Sequence, residues 1–185
     1  MTKKIATVLF LILATQIQAQ FIKEKSIDAS IGLGATLPND NDTDLTGSGF
    51  YLQGEYVLKV SNWLDLRPYA GVVFTKTDDD ENTPEEFEAS TNAFLIGGKV
   101  RAKIPIPWVS PFIELGIGAS LGSFKTITNN SNIDESGLIA HIPFSLGLEV
   151  GKKHNIDIAF LYYFQNSVEQ ITGAAALGIT IPLKN

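Results

Sequence analysis

From residue 25 onward, apolar and polar side chains alternate with a period of two, the mark of strands that turn different faces to different surroundings. The first run, Ser26 to Leu37, is apolar at every odd position and polar or glycine at every even one. Seven further runs follow near 49–60, 63–75, 91–104, 109–123, 138–150, 155–165 and 173–183. Each carries one uninterrupted apolar face, such as Ile113, Leu115, Ile117, Ala119 and Leu121 in the fifth run or Leu138, Ala140, Ile142, Phe144, Leu146 and Leu148 in the sixth. The pattern predicts eight strands.

The opposite face holds every charge inside the runs: Asp28, Glu55, Lys59, Asp65, Arg67, Lys99, Arg101, Lys103, Glu114, Glu149 and Asp157, with His141 among them. It is also rich in small residues, including Gly32, Gly34, Gly97, Gly116, Gly118, Gly147, Ala174, Ala176 and Gly178. Alternation alone does not say which face looks inward. On a water-facing strand surface, glycine would weaken the strand without return, whereas an eight-stranded barrel is only just wide enough inside for side chains. Small and charged residues therefore belong in the lumen and the apolar face outside, against lipid. Six acids and five bases on the inner face approach neutrality, as a poorly hydrated interior requires. They are expected to form a salt-bridged plug.

The connections point the same way. Ser61–Asn62, Pro105–Pro107 and Gly151–Lys153 are short, whereas 38–48, 77–90 and 126–136 are longer and polar, with a smaller fourth connection near 166–172. Short turns at one end and longer loops at the other are the asymmetry of outer-membrane barrels. Both chain ends then fall on the periplasmic side. Trp63 and Trp108 flank short turns, and Phe50, Phe74, Phe94 and Phe164 sit near the other strand ends, where aromatic belts meet the two membrane interfaces.

Ahead of the strands, Lys3 and Lys4 precede the uncharged run Ile5–Ala14, and Ala19 offers a small residue before a cleavage point. This is the layout of a secretory signal peptide over 1–19, and the run is too short to span a bilayer as a helix. The barrel domain is then 20–185, with no further domain expected after the last strand. A chain that enters the membrane without spanning helices must do so as a closed barrel.

Composition narrows the functional classes. The 185 residues are 44% hydrophobic and 18% charged, with mean hydropathy +0.11 and net charge −6. An acidic chain does not suit a sequence-general nucleic-acid binder. Absence of cysteine excludes disulfides, thiolate metal sites and a cysteine nucleophile.

Taken together, the leader, the eight runs and the loop asymmetry resemble the small outer-membrane barrels of the OmpA/OmpX type, in particular the barrel-only proteins of Bacteroidetes-like envelopes. The resemblance implies an all-β, eight-stranded antiparallel transmembrane barrel with up-and-down topology in a bacterial outer membrane. It also implies contact with outer-membrane lipid and lipopolysaccharide, and with the outer-membrane assembly machinery.

Candidate chemistry is sparse. His141, Ser145 and Glu149 share the inner face of the sixth run and invite a comparison with a lipid-hydrolysing barrel family. His141 and Ser145 are four residues apart, about 13 Å along a strand, and a lumen histidine bonded to neighbouring carboxylates is the plainer expectation. Asp40, Asp42 and Asp44 begin like a calcium loop, but Leu45 replaces the required glycine and Tyr51 the twelfth-position glutamate. Asp78, Asp79 and Asp80 open a second acidic loop. Both loops are weak cation candidates; the default is a solvated loop. Gly116-Ile117-Gly118 lacks the third glycine and following helix of a dinucleotide fingerprint. No catalytic residue, cofactor or resident metal is assigned. The leading expectation is a structural or surface-interaction role through the acidic loops. The alternatives are a narrow channel for small or apolar molecules and a lipid-modifying enzyme.

Overall fold

The alternation translates directly into strands that close on themselves. We describe residues 22–39, 45–78 and 87–183 of a computed structural model. Eight strands follow in order: β1 (Glu24–Pro38), β2 (Gly47–Lys59), β3 (Leu64–Thr77), β4 (Glu88–Lys103), β5 (Val109–Ile127), β6 (Asn132–Val150), β7 (Ile156–Gln165) and β8 (Gln170–Pro182). Each pairs antiparallel with its neighbours in sequence, and β1 pairs with β8, so the sheet is a closed barrel without a free edge strand. The signal peptide expected over 1–19 lies outside the described residues.

The outer surface is apolar. Leu33 and Ile117 are each 77% exposed, and Ile31, Ile96, Leu115, Leu138, Phe160 and Ile179 are exposed around the same wall. Soluble monomers rarely expose a contiguous apolar patch above a few hundred Å². A continuous apolar wall calls for a hydrocarbon solvent, where a closed barrel satisfies every backbone group internally. Inward positions carry the small and polar residues, as expected for an inverted barrel.

The limits of the apolar wall are set in register. Phe50 pairs with Phe74 across β2–β3, Phe94 with Leu121 across β4–β5, and Leu121 with Leu138 across β5–β6. One step beyond this ring the outward positions become polar: Ser48, Lys76, Asn92, Ser123 and Ser136. The other end of the wall carries exposed Trp63, Ile104, Ile106 and Trp108.

The third long connection expected from the sequence, over 126–136, is shorter than that. β5 and β6 continue to Ile127 and from Asn132, leaving a turn of 128–131 in which the Thr128 N–H donates to the Ser131 carbonyl at 2.8 Å. Period two persists here with its polarity reversed: Phe124 is buried inward while Ser123 and Lys125 face out. The hairpin has passed the apolar band and no longer needs a greasy outer face, so a pattern search keyed to that face ends too early. β7, by contrast, stops at Gln165. A 3₁₀ turn, Asn166–Val168, then folds Val168 into the top of the lumen, where its carbonyl accepts the Thr126 hydroxyl at 2.8 Å.

Candidate functional site: the filled lumen

The inner charges fall in the half of the barrel nearest the short turns. Their ladder positions are unusual. Asp28 lies opposite Glu55 on β1–β2, Arg67 opposite Lys99 on β3–β4, and Glu149 opposite Asp157 on β6–β7. Like charges on facing positions repel, so these three pairs need counter-charges from elsewhere. Some come from diagonal or facing positions on an adjacent strand, as Arg67 to Glu55, Lys99 to Glu114 and Arg101 to Glu114. Others cross the lumen, as Arg67 to Asp28 and Asp157 and Arg101 to Glu149 and Asp157.

Arg67 is the centre, only 1% exposed. Its guanidinium donates from Nε to Glu55 and lies 3.5 Å from Asp28, 3.6 Å from Glu114 and 3.7 Å from Asp157. Arg101 reaches Glu114 and Asp157 at 2.6 Å and Glu149 at 2.9 Å. It also stacks 3.6 Å from the centre of the Phe112 ring, a geometry that holds a planar cation over an aromatic face. Lys99 bridges Glu55 and Glu114, each at 2.7 Å, and Lys103 bridges Asp65 at 2.8 Å and Glu149 at 3.1 Å. The space left among Asp28, Glu55, Lys99, Arg101 and Glu114 is about 10 Å³, the volume of at most one water.

Two expectations change. Lys59 is not among these pairs: it sits half-exposed at the barrel mouth and pairs with Glu24 at 3.2 Å. Six buried acids therefore meet four bases, not five, and the interior is formally two positive charges short of balance. His141 makes no hydrogen bond or ion pair with a carboxylate among the described residues. Its Nε2 is 2.5 Å from the Tyr69 hydroxyl and its Nδ1 is 2.7 Å from Ser120 Oγ. The reason is position: His141 sits on β6 beyond the charged layer, where the inward neighbours are aromatic and hydroxyl groups. Gly97 and Gly118 make this contact possible, since a Cβ at either would collide with the Tyr69 hydroxyl. Ser145 Oγ is buried with no hydrogen-bond partner, so His141, Ser145 and Glu149 do not assemble as a set.

Farther from the short turns the filling changes character, and charge-based reading missed it. Tyr163 donates to Gln53 at 2.6 Å and sits 3.1 Å from the Tyr51 hydroxyl. Gln53 donates to Glu55 at 2.7 Å, joining this layer to the ions. Gln165 donates to Ser120 at 3.0 Å, and its carbonyl accepts from Gln170 at 2.9 Å and Thr172 at 3.0 Å. Thr91 lies within hydrogen-bonding reach of Thr36 at 3.1 Å, Thr172 at 3.1 Å and Gln170 at 2.6 Å. Val73, Leu95, Phe124, Ile139 and Leu161 pack among them. The available signal was strand parity: most of these residues occupy the inward positions of their runs, while Phe124, Gln170 and Thr172 keep the same parity just beyond the ends of theirs.

Of the cation candidates, Asp40, Asp42, Asp44, Asp79 and Asp80 lie outside the described residues. Asp78 accepts a hydrogen bond from Ser48. Among the described residues no three His, Asp or Glu side chains form a metal-binding group.

With this geometry in hand, solved structures provide the comparison. The chain is similar to Neisserial surface protein A, with TM-score 0.60 and 12% identity over 86% of this chain and 97% of that one. It is similar to the outer membrane protein OprG of Pseudomonas aeruginosa, with TM-score 0.54 and 10% identity over 88% and 98%. It is also similar to the outer membrane enzyme PagL, with TM-score 0.50 and 17% identity over 84% and 99%. The fold is that of the small eight-stranded bacterial outer-membrane barrels. No protein-family model and no curated protein sequence matches the chain. The fold class includes an enzyme, so function must be argued from this lumen and surface.

Proposed function

We propose that this protein is a non-enzymatic barrel of the bacterial outer membrane, exported by a signal at 1–19, inserted by the outer-membrane assembly machinery and closed by its own side chains. It would serve envelope structure or surface contact through the acidic long-connection end. The observation that carries this reading is the crossing of the lumen by Arg67 and Arg101, each held by carboxylates from several strands. Tyr51 and Tyr163 fill the next layer, both essentially without exposure. A conducting path would require several of these buried ion pairs to part together, and leaving one partner buried and unpaired costs about 3–5 kcal/mol.

The enzyme reading has less support. His141 borders an outward groove of about 990 Å³ beside Ile117 and Leu138, but its two ring nitrogens meet the hydroxyls of Tyr69 and Ser120, and no carboxylate among the described residues hydrogen-bonds the ring to orient it as a base. The channel and plug readings separate in a planar bilayer. The full chain, reconstituted, should show no sustained porin-like conductance at any holding voltage. Stable, stepwise openings would defeat the plug.

A further inference from the structure

The short-turn mouth leads into a cavity of about 560 Å³ that ends on the charged layer. It is lined by Asp65, Arg67, Lys103, Glu149, Lys153 and His154, among others. Asp65 is 1% exposed, and neither of its carboxylate oxygens accepts a hydrogen bond, although Lys103 supplies charge at 2.8 Å. His154 Nε2 is likewise buried without a partner, and Arg67 Nη2 makes no hydrogen bond. Buried polar atoms without partners are uncommon and cost free energy.

The charges around the cavity are graded. Its floor borders an interior two positive charges short of neutrality, and Asp65 is the acid there with free lone pairs. A cationic donor is therefore favoured at Asp65. Arg67 already has Asp28 and Asp157 within 3.7 Å and calls for no further anion. The rim has the opposite need: Lys153 and His154, both on the turn between β6 and β7, present nitrogen without an acidic partner among the described residues.

We propose that this vestibule binds a small zwitterion of the amino-acid type, its ammonium group directed inward to Asp65 and its carboxylate outward to Lys153 and His154. Occupation would satisfy the orphaned carboxylate with N–H donors and offset part of the interior charge deficit. No passage through the barrel is required, so the site stands independently of the closed-lumen reading.

The test uses the full chain folded in detergent micelles, with backbone amide NMR shifts recorded during titration with glycine. Methylammonium, acetate and glycine betaine serve as probes carrying one charge only, or both charges without N–H donors. Glycine should give saturable shifts confined to the vestibule and bind at least about tenfold more tightly than the other three. Asp65→Asn should weaken glycine about tenfold, as expected when a buried charged partner is lost. Folding of that variant is checked by heat-modifiable gel mobility. Lys153→Ala, on an exposed turn, should weaken glycine several-fold and carries the test if Asp65→Asn does not fold. The proposal is overturned if glycine gives no saturable shift, if betaine or acetate matches it, or if Lys153→Ala leaves its affinity unchanged.

Discussion

Between the short turns and Glu55 the lumen is held by carboxylates, guanidinium and ammonium groups that meet across the barrel, whereas from Tyr69 to Thr126 it is held by phenols, amides and hydroxyls. The two halves share one backbone plan and one alternation of faces. They differ in redundancy. Arg101 answers Glu114, Glu149 and Asp157 simultaneously, and no neutral group can replace it, because a buried ion without its counter-ion is expensive. Thr91 sits among Thr36, Thr172 and Gln170, each with a further partner of its own. Losing one hydroxyl there leaves the others able to re-pair. The ionic half is therefore brittle to single substitutions and the neutral half forgiving.

The sharpest test is Arg101→Met. It keeps side-chain bulk over Phe112 but leaves Glu114, Glu149 and Asp157 to share Lys99, Lys103 and Arg67 in an interior one positive charge poorer, and we expect a loss of about 3–5 kcal/mol. Urea unfolding in phospholipid vesicles, followed through the fluorescence of Trp63 and Trp108, would measure it. A loss below 1 kcal/mol, about what a single neutral hydrogen bond contributes, would mean the charges are hydrated or neutralised some other way.

Leu115→Arg probes the wall rather than the lumen. Leu115 is 59% exposed on the outer face of β5, near the middle of the apolar band, where an arginine costs about 2–4 kcal/mol. The same measurement applies, and a silent substitution would contradict the outward assignment of the apolar face.

Thr91→Val is nearly isosteric and removes one hydroxyl from the neutral network, so a cost of about 1 kcal/mol is expected. If it matched Arg101→Met, the contrast between the halves would fail. At the small end, Lys125→Ala acts on the projecting β5–β6 hairpin. Lys125 lies 3.3 Å from Glu88 and 3.9 Å from Asp134, all partly exposed. Surface pairs of this kind contribute under about 1 kcal/mol, so its unfolding curve should overlay that of the parent chain.

The contrast also explains what a reader of the sequence recovers. The charged half was legible because each ionisable residue interrupts an apolar run on a fixed parity. The neutral half was not: Thr36, Thr91, Gln165 and Gln170 have the parity of lumen residues but a composition that suits any solvated strand. The length of the β5–β6 hairpin was missed for a related reason. Past Leu121 and before Leu138 the outer positions turn polar, which looks the same whether the chain continues as a strand above the membrane or leaves it as a loop.

What the sequence determined by itself is the set of strands, their two faces and the inversion that puts apolar side chains outside, because a period of two and the bulk of each face are local properties of the chain. Only the tertiary structure decided who neutralises whom. Facing positions on adjacent strands carry like charges at Asp28–Glu55, Arg67–Lys99 and Glu149–Asp157. Glu55 and Lys99 find counter-charges diagonally on the next strand, but Asp28, Glu149 and Asp157 are answered by Arg67 and Arg101 from non-adjacent strands, which come within reach only when the sheet closes around a narrow lumen.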